Sequence, residues 1–84
     1  MIKVAICEDS DIDRDMLGEI VGLLMNDRGI DYQVDLYRNG ENLVSCYKNK
    51  PYDLIFLDIM MNEIDGIETG KLIRGMDGSV EIVY

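Results

Sequence analysis

Three features of this chain predict an α/β domain, a parallel sheet with helices on both faces in the order βαβαβαβ. Short apolar runs alternate with amphipathic stretches from end to end. The stretches joining them are short, and right-handed crossovers of that kind make neighbouring strands parallel. The run Asp53–Leu57 is apolar on both faces after its first residue, as befits a central strand covered on each side.

The elements follow in order. Ile2–Cys7 is the first strand. Ser10 or Asp11 can cap a helix whose apolar residues fall at Ile12, Met16, Ile20 and Leu24, with Leu17 and Val21 broadening the stripe. Gly29 is its expected stop. Tyr32–Tyr37 alternates, with Tyr32, Val34 and Leu36 on one face and Gln33, Asp35 and Tyr37 on the other, the pattern of a half-covered edge strand. Asn39-Gly40 marks a turn. Glu41–Lys48 supports a short helix through Leu43, Val44 and Tyr47, which Pro51 prevents from continuing. After the strand Asp53–Leu57, Asp65-Gly66-Ile67-Glu68 resembles a capped helix start leading to Arg74 or Met76. The spacing Gly66-x-x-x-Gly70 lets that helix approach the sheet closely. Asp77-Gly78 is a turn, and Val80–Tyr84 is the last strand.

Size and charge narrow the function. Eighty-four residues make one small domain, expected to span residues 1–84. A chain this short buries only roughly 60–65% of its unfolded surface, so its stability is expected to be marginal without a partner. Its net charge of −9 argues against direct nucleic-acid binding, because backbone phosphates need Lys and Arg. The apolar runs are too short to span a bilayer, and Met1-Ile2-Lys3-Val4 runs straight into a strand pattern without a signal peptide's features. A cytoplasmic location is expected. With no His and no Cys-x-x-Cys, a structural zinc site is excluded in practice. Cys7 is expected to be a small buried hydrophobe.

The chemistry lies in the acids that end the strands. Asp58 directly follows Leu54-Ile55-Phe56-Leu57, and Glu8-Asp9 follows Ile2–Cys7 in the same way. Open α/β sheets place ligands beyond the carboxyl ends of their strands. Two parallel strands ending in acid at one edge would gather three carboxylates, a set suited to a hard divalent cation and phosphoryl chemistry. A solvated acidic helix start accounts for Asp11 and Asp13, since the helix dipole favours them. It does not account for acids at the exit of an apolar strand.

Glu8-Asp9, the strand-end Asp58, the segment Asp58-Ile59-Met60-Met61 and the Asp65-Gly66 beyond it together resemble the receiver domain of two-component response regulators. The resemblance covers the whole chain and the first two-thirds of a receiver. It implies a flavodoxin-like (CheY-like) fold of strand order 2-1-3-4-5, truncated here after strand 4, with the switch point between strands 1 and 3. It implies that Asp58 is the nucleophile that becomes an aspartyl phosphate, fed by a phosphohistidine on a sensor histidine kinase. Mg²⁺ is the implied cofactor, with Asp9 and Asp58 as direct ligands, Glu8 direct or through water, and the Met60 backbone carbonyl as a further ligand. The parent is expected to be a transcriptional regulator.

Three departures from the family pattern bear on this. Asn62 stands where the family usually has Pro four residues after the phosphorylated Asp. The family's Ser/Thr switch residue belongs at the end of strand 4, where this sequence stops. The Lys that ends strand 5 has no counterpart among Lys3, Lys48, Lys50 and Lys71. The expectation is therefore a fragment of a longer regulator, able to bind Mg²⁺ but slow to be phosphorylated. The exposed edge of Val80–Tyr84 is expected to template a homodimer.

Two alternatives stand beside the signalling module, which is expected not to be an enzyme. A haloacid-dehalogenase-like phosphatase also uses a strand-end Asp with Mg²⁺, but needs a second Asp two residues later, where this chain has Met60. A receiver-like interaction or dimerisation module without phosphotransfer is favoured by the missing Lys and Ser/Thr and opposed by the intact acids.

Overall fold

A computed structural model describes residues 1–59 and 65–84. The elements are β1 (Ile2–Cys7), α1 (Asp11–Asp27), β2 (Tyr32–Tyr37), α2 (Gly40–Tyr47), β3 (Leu54–Leu57), α3 (Gly66–Met76) and β4 (Glu81–Val83). The four strands form one parallel sheet in the order β2-β1-β3-β4. This is the expected fold and strand order. β1 lies in the middle, pairing Ile2 with Tyr32 through Cys7 with Tyr37 on one side and Val4 with Leu54 through Cys7 with Leu57 on the other.

Alternation along the strands sends side chains to two cores. Ala5, Cys7, Ile55 and Leu57 meet α2 and α3 through Leu43, Tyr47 and Ile73, closed by Tyr52 and Val80. Val4 and Ile6 meet Val21 of α1, flanked by Leu17, Met25, Val34, Leu54 and Phe56. The helix starts are set by local chemistry. The side chains of Ser10, Asn39 and Asp65 each accept the backbone N–H three residues on, satisfying a donor the helix itself cannot pair. Asn39-Gly40, expected as a turn, is thus the cap and first residue of α2. Gly29 ends α1 at φ 66°, a conformation that favours glycine.

The α1 stripe differs from expectation. Ile12, Met16, Ile20 and Leu24 are exposed, and the row inclined toward the sheet is Leu17, Val21 and Met25. Both rows have helical spacing, so hydrophobicity alone does not choose between them. Packing against Val4 and Ile6 of β1 decides the matter, and Gly18 and Gly22 lie beside the second row. A Cβ at Gly22 would stand 3.0 Å from the Tyr32 hydroxyl, and one at Gly18 would stand 3.6 Å from Leu36 Cδ2. With Leu17 and Val21 inward, these two glycines let the helix settle close to β2.

A polar network lies on the α2–α3 face of the sheet. Tyr52 donates to Asp35 Oδ2 at 2.6 Å, and the Tyr37 and Tyr52 hydroxyls lie 2.6 Å apart. Burial works to raise the Asp35 pKa, but hydrogen bonds from Tyr52, Gln33 and Lys50 outweigh it and carry the group below its ordinary 3.8. Tyr47 donates to Asp77 Oδ2 at 2.6 Å, and burial together with that carboxylate pushes its phenol up to about 12.

Core and surface positions should respond differently to truncation. Ile73→Ala, at a fully buried site, is expected to cost ~2–5 kcal/mol, whereas Ile12→Ala, at 75% exposure, should stay within ~0.5 kcal/mol. Urea unfolding checks this. Equal losses from the two variants would contradict the assignment of the α1 faces.

Candidate functional site

The site grows directly out of the strand register. Cys7 pairs with Leu57, so the residues after each of them leave the sheet side by side. The ladder continues one step further, with the Asp58 N–H donating to Cys7 O at 3.0 Å and the Glu8 N–H donating to Tyr37 O at 3.0 Å. Glu8, Asp9 and Asp58 therefore converge, and one carboxylate oxygen from each lies within 4.8 Å of the others. Glu8 and Asp58 are half-buried and Asp9 is exposed. All three acids proposed from the sequence come together. Met60, proposed as a backbone ligand, lies outside the described residues.

The surroundings hold these groups in place. The Ser10 N–H donates to Glu8 Oε2 at 3.1 Å, while Ser10 Oγ caps α1. Arg14 reaches back from α1 and donates from Nη1 to the Glu8 backbone carbonyl at 3.0 Å. On the other side, the Gly66 N–H donates to Ile59 O at 2.9 Å, tying the start of α3 to the exit of β3. Gly66 is required there, because a Cβ would strike the backbone carbonyl of Asp58. Further along α3, Gly70 accommodates the Tyr84 phenol, so both glycines of the spacing serve close approach. Beside the acids, a cavity of about 260 Å³ is lined by Glu8, Asp58, Leu17, Phe56, Val83 and Tyr84, among others.

Arg14 and the backbone contact of Gly66 with Asp58 are the site features that the sequence did not disclose. The i, i+3 spacing of Asp11 and Arg14 signals a helix-surface ion pair. Nothing in it points six residues back to Glu8.

Electrostatics fit a site that wants positive charge. Two unit charges 4 Å apart repel by ~1 kcal/mol in water and ~4 kcal/mol at the effective dielectric of a protein surface. Glu8 responds by titrating above its ordinary 4.5, chiefly through burial and further through the adjoining Asp9 and Asp58 carboxylates, while the Ser10 N–H pulls the other way. Burial, with help from Glu41, Asp58, Glu8 and Asp9, pushes the Cys7 thiol up to about 12, so it is an inert neighbour.

The donor set suits Mg²⁺. It is all oxygen, as a hard cation requires. Around a six-coordinate ion with bonds of about 2.1 Å, ligand oxygens lie about 3 Å apart in cis and about 4 Å apart in trans. Oxygens already within 4.8 Å of one another are close to that arrangement.

These shifts give a signed pH dependence for the metal-free protein. Glu8 is raised, so its contribution to stability is complete below pH 4.5 and is lost as pH rises through the raised value. Asp11, Asp35 and Asp77 are lowered, by Arg14, by the Asp35 network and by Tyr47 with Ser79 respectively. Their contribution is complete above 3.8 and is lost as pH falls through their folded values. The melting temperature should therefore fall from mildly acid pH toward neutrality, and Glu8→Gln should flatten that slope. A melting temperature that climbs steadily from pH 4.5 to neutrality, unaltered by Glu8→Gln, would contradict the assignment.

Comparison with known proteins bears on this arrangement directly. Residues 4–84 match the response regulator receiver domain family. Among curated proteins, the chain is 35% identical over 77 residues to hybrid signal transduction histidine kinase B of Dictyostelium discoideum, covering 92% of this chain and 4% of the kinase. It is 39% identical over 56 residues to the transcriptional regulatory protein ZraR of Klebsiella oxytoca, covering 67% of this chain and 13% of that protein. The chain thus spans a small part of these relatives. Among solved structures, the response regulator TrrA of Thermotoga maritima, in complex with Mg²⁺-BeF, superimposes with a TM-score of 0.84 at 28% identity, over 98% of this chain and 66% of that one. TrrA bound to the histidine kinase ThkA superimposes at 0.82 with the same identity and coverage. A parallel sheet of order β2-β1-β3-β4 with three acids at the β1 and β3 exits, matched over residues 4–84, places this chain in the receiver domain family of two-component response regulators.

Proposed function

We propose that the chain accepts a phosphoryl group on Asp58, with Mg²⁺ held by Asp9 and Asp58 directly, by Glu8 directly or through water, and by the Met60 carbonyl. The convergence of three carboxylates within 4.8 Å at the exits of β1 and β3 carries this proposal. A carboxylate oxygen of Asp58 attacks the phosphorus of a phosphohistidine on a sensor histidine kinase. The new P–O bond forms as the P–N bond breaks, its electron pair staying on the imidazole nitrogen, and the product is an aspartyl phosphate. Mg²⁺, when bound, offsets the charge of the carboxylates and clamps the phosphoryl oxygens.

The residues around Asp58 supply position. The β1–β3 ladder fixes its backbone through Cys7 O. The bond from the Gly66 N–H to Ile59 O ties the start of α3 to the residue after Asp58. Glu8 and Asp9 bring carboxylate oxygens within 4.8 Å of one from Asp58, where they would hold a cation and so supply positive charge beside the acceptor. A protein donor approaching this edge meets the exposed Ile12 and Met16 at the start of α1.

The relatives support a partner and a context. TrrA binds the histidine kinase ThkA, which supports a sensor kinase as the donor of this chain's phosphoryl group. Likeness to ZraR supports a parent that regulates transcription. A chain with two cysteines and no cysteine-rich framework suits a reducing cytoplasm. Among the described residues, no helix is long and apolar enough to cross a membrane.

We also propose self-association through β4. This strand is an edge of the sheet and pairs only with β3 among the described residues, while Val83 and Tyr84 are exposed. An open parallel edge with apolar side chains invites pairing with a second copy.

Two measurements test these proposals. Intact mass after incubation with Mg²⁺ and acetyl phosphate should show a single phosphoryl increment, absent in Asp58→Asn and absent without Mg²⁺. An increment that persists in Asp58→Asn would place the acceptor elsewhere. Size-exclusion chromatography with light scattering at micromolar concentration should show a dimer, and a clean monomer would remove the β4 proposal.

A further inference from the structure

Arg14 stands out among the cationic side chains. It sits in a stretch where Asp11, Asp13 and Asp15 face solvent, yet its side chain is only 12% exposed, against 69% for Arg38 nearby. Its guanidinium forks. Nη1 donates to the Glu8 backbone carbonyl at 3.0 Å, and Nη2 donates to Asp11 Oδ1 at 2.5 Å. Its own N–H donates to Ser10 O at 2.9 Å, so backbone and side chain together close the turn from Glu8 to Ser10.

We propose, on the strength of the Mg²⁺ role assigned above, that Arg14 is a positioning residue that sets the orientation of Glu8 and Asp9 for cation binding. The physical basis is the peptide bond that joins those two acids. A peptide unit is a rigid plane, so fixing the Glu8 carbonyl oxygen fixes the direction in which the chain enters Asp9. That plane is held through its carbonyl oxygen, and the preceding Cys7–Glu8 plane is held through its N–H. The Glu8 N–H is bonded to Tyr37 O, and the Glu8 carbonyl is bonded to Arg14. Groups that orient ligands in this way typically change metal affinity by about 10–100-fold when removed.

A cation near a cation site also has the opposite tendency, since its charge repels the metal. Here the ion pair with Asp11 offsets that charge, and the same pair holds the Asp11 pKa below its ordinary value. Positioning therefore outweighs repulsion. Lys cannot replace Arg, because a single ammonium on a flexible stem lacks the planar fork that spans the Glu8 carbonyl and the Asp11 carboxylate.

The test compares wild type, Arg14→Lys and Arg14→Gln by Mg²⁺ titration, with amide hydrogen exchange at Asp9 and Ser10 measured in the metal-free proteins. Both variants should bind Mg²⁺ about tenfold more weakly. Both should exchange faster at Asp9 and Ser10 while remaining folded. Unchanged affinity in the folded variants would overturn the proposal. So would tighter binding in Arg14→Gln, the mark of a simple counter-charge, or full rescue by Lys. A wild type that does not bind Mg²⁺ would sink the Mg²⁺ role itself, and exchange at Asp9 and Ser10 would then decide alone whether Arg14 holds the turn. Should both variants unfold, the wild-type protein decides. A slowly rotating Arg14 guanidinium coupled to the Glu8 carbonyl by NMR supports the proposal, and a freely rotating one overturns it.

Discussion

The register between β1 and β3 is the constraint on which the rest of this molecule depends. Cys7 lies opposite Leu57, and the ladder extends one bond further to the Asp58 N–H. Because side chains alternate along a strand, a slip of one residue would move every apolar group of β3 to the other face. Ile55 and Leu57 would leave the α2–α3 core, and Leu54 and Phe56 would leave the α1 side. Burial therefore enforces the register, and the register delivers Asp58 to the side of Glu8 and Asp9. Packing energy and site geometry are two consequences of one alignment.

The same constraint explains why the acids sit at an uncomfortable distance. Nothing in the packing of two apolar strands favours three carboxylates at their exits, and Glu8 is raised chiefly by burial and further by Asp9 and Asp58. Helix capping spreads some of the nearby charge usefully, with Ser10 receiving the Asp13 N–H and Arg14 drawing Asp11 into an ion pair. The cluster itself has oxygen donors on three sides and suits a hard cation. The two faces of the sheet are unequally covered. Among the described residues, two helices pack on one face and α1 on the other, where Ile20, Leu24 and Val83 are exposed.

Much of this was legible in the sequence, and the failures are as informative as the successes. β1 and β2 appear at their expected bounds, and Asp65 caps α3 as its spacing with Glu68 foretold. These features are local, or alternate with period 2, so the sequence encodes them without reference to a partner. The three acids were legible because each follows an apolar run at the same end. The inward face of α1 was not, since rows 12-16-20-24 and 17-21-25 are both apolar at helical spacing. The choice shows in the tertiary packing, where Leu17, Val21 and Met25 meet Val4 and Ile6 of β1. Arg14, and the partner that Gly66 approaches, escaped notice for a related reason. The two residues each contact a backbone carbonyl, of Glu8 and Asp58 respectively, and backbone carbonyls carry no signature in a sequence.

The most direct test of the convergence of Glu8, Asp9 and Asp58 is a Mg²⁺ titration of the metal-free protein followed through its backbone amide resonances. A single saturable site is expected, with the largest shifts at Glu8, Asp9 and Asp58, and with the response lost in Asp58→Asn. Shifts that centre on Asp11, Asp13 and Asp15 and persist in Asp58→Asn would show a solvated acidic helix start instead. They would contradict the site built here from the exits of β1 and β3.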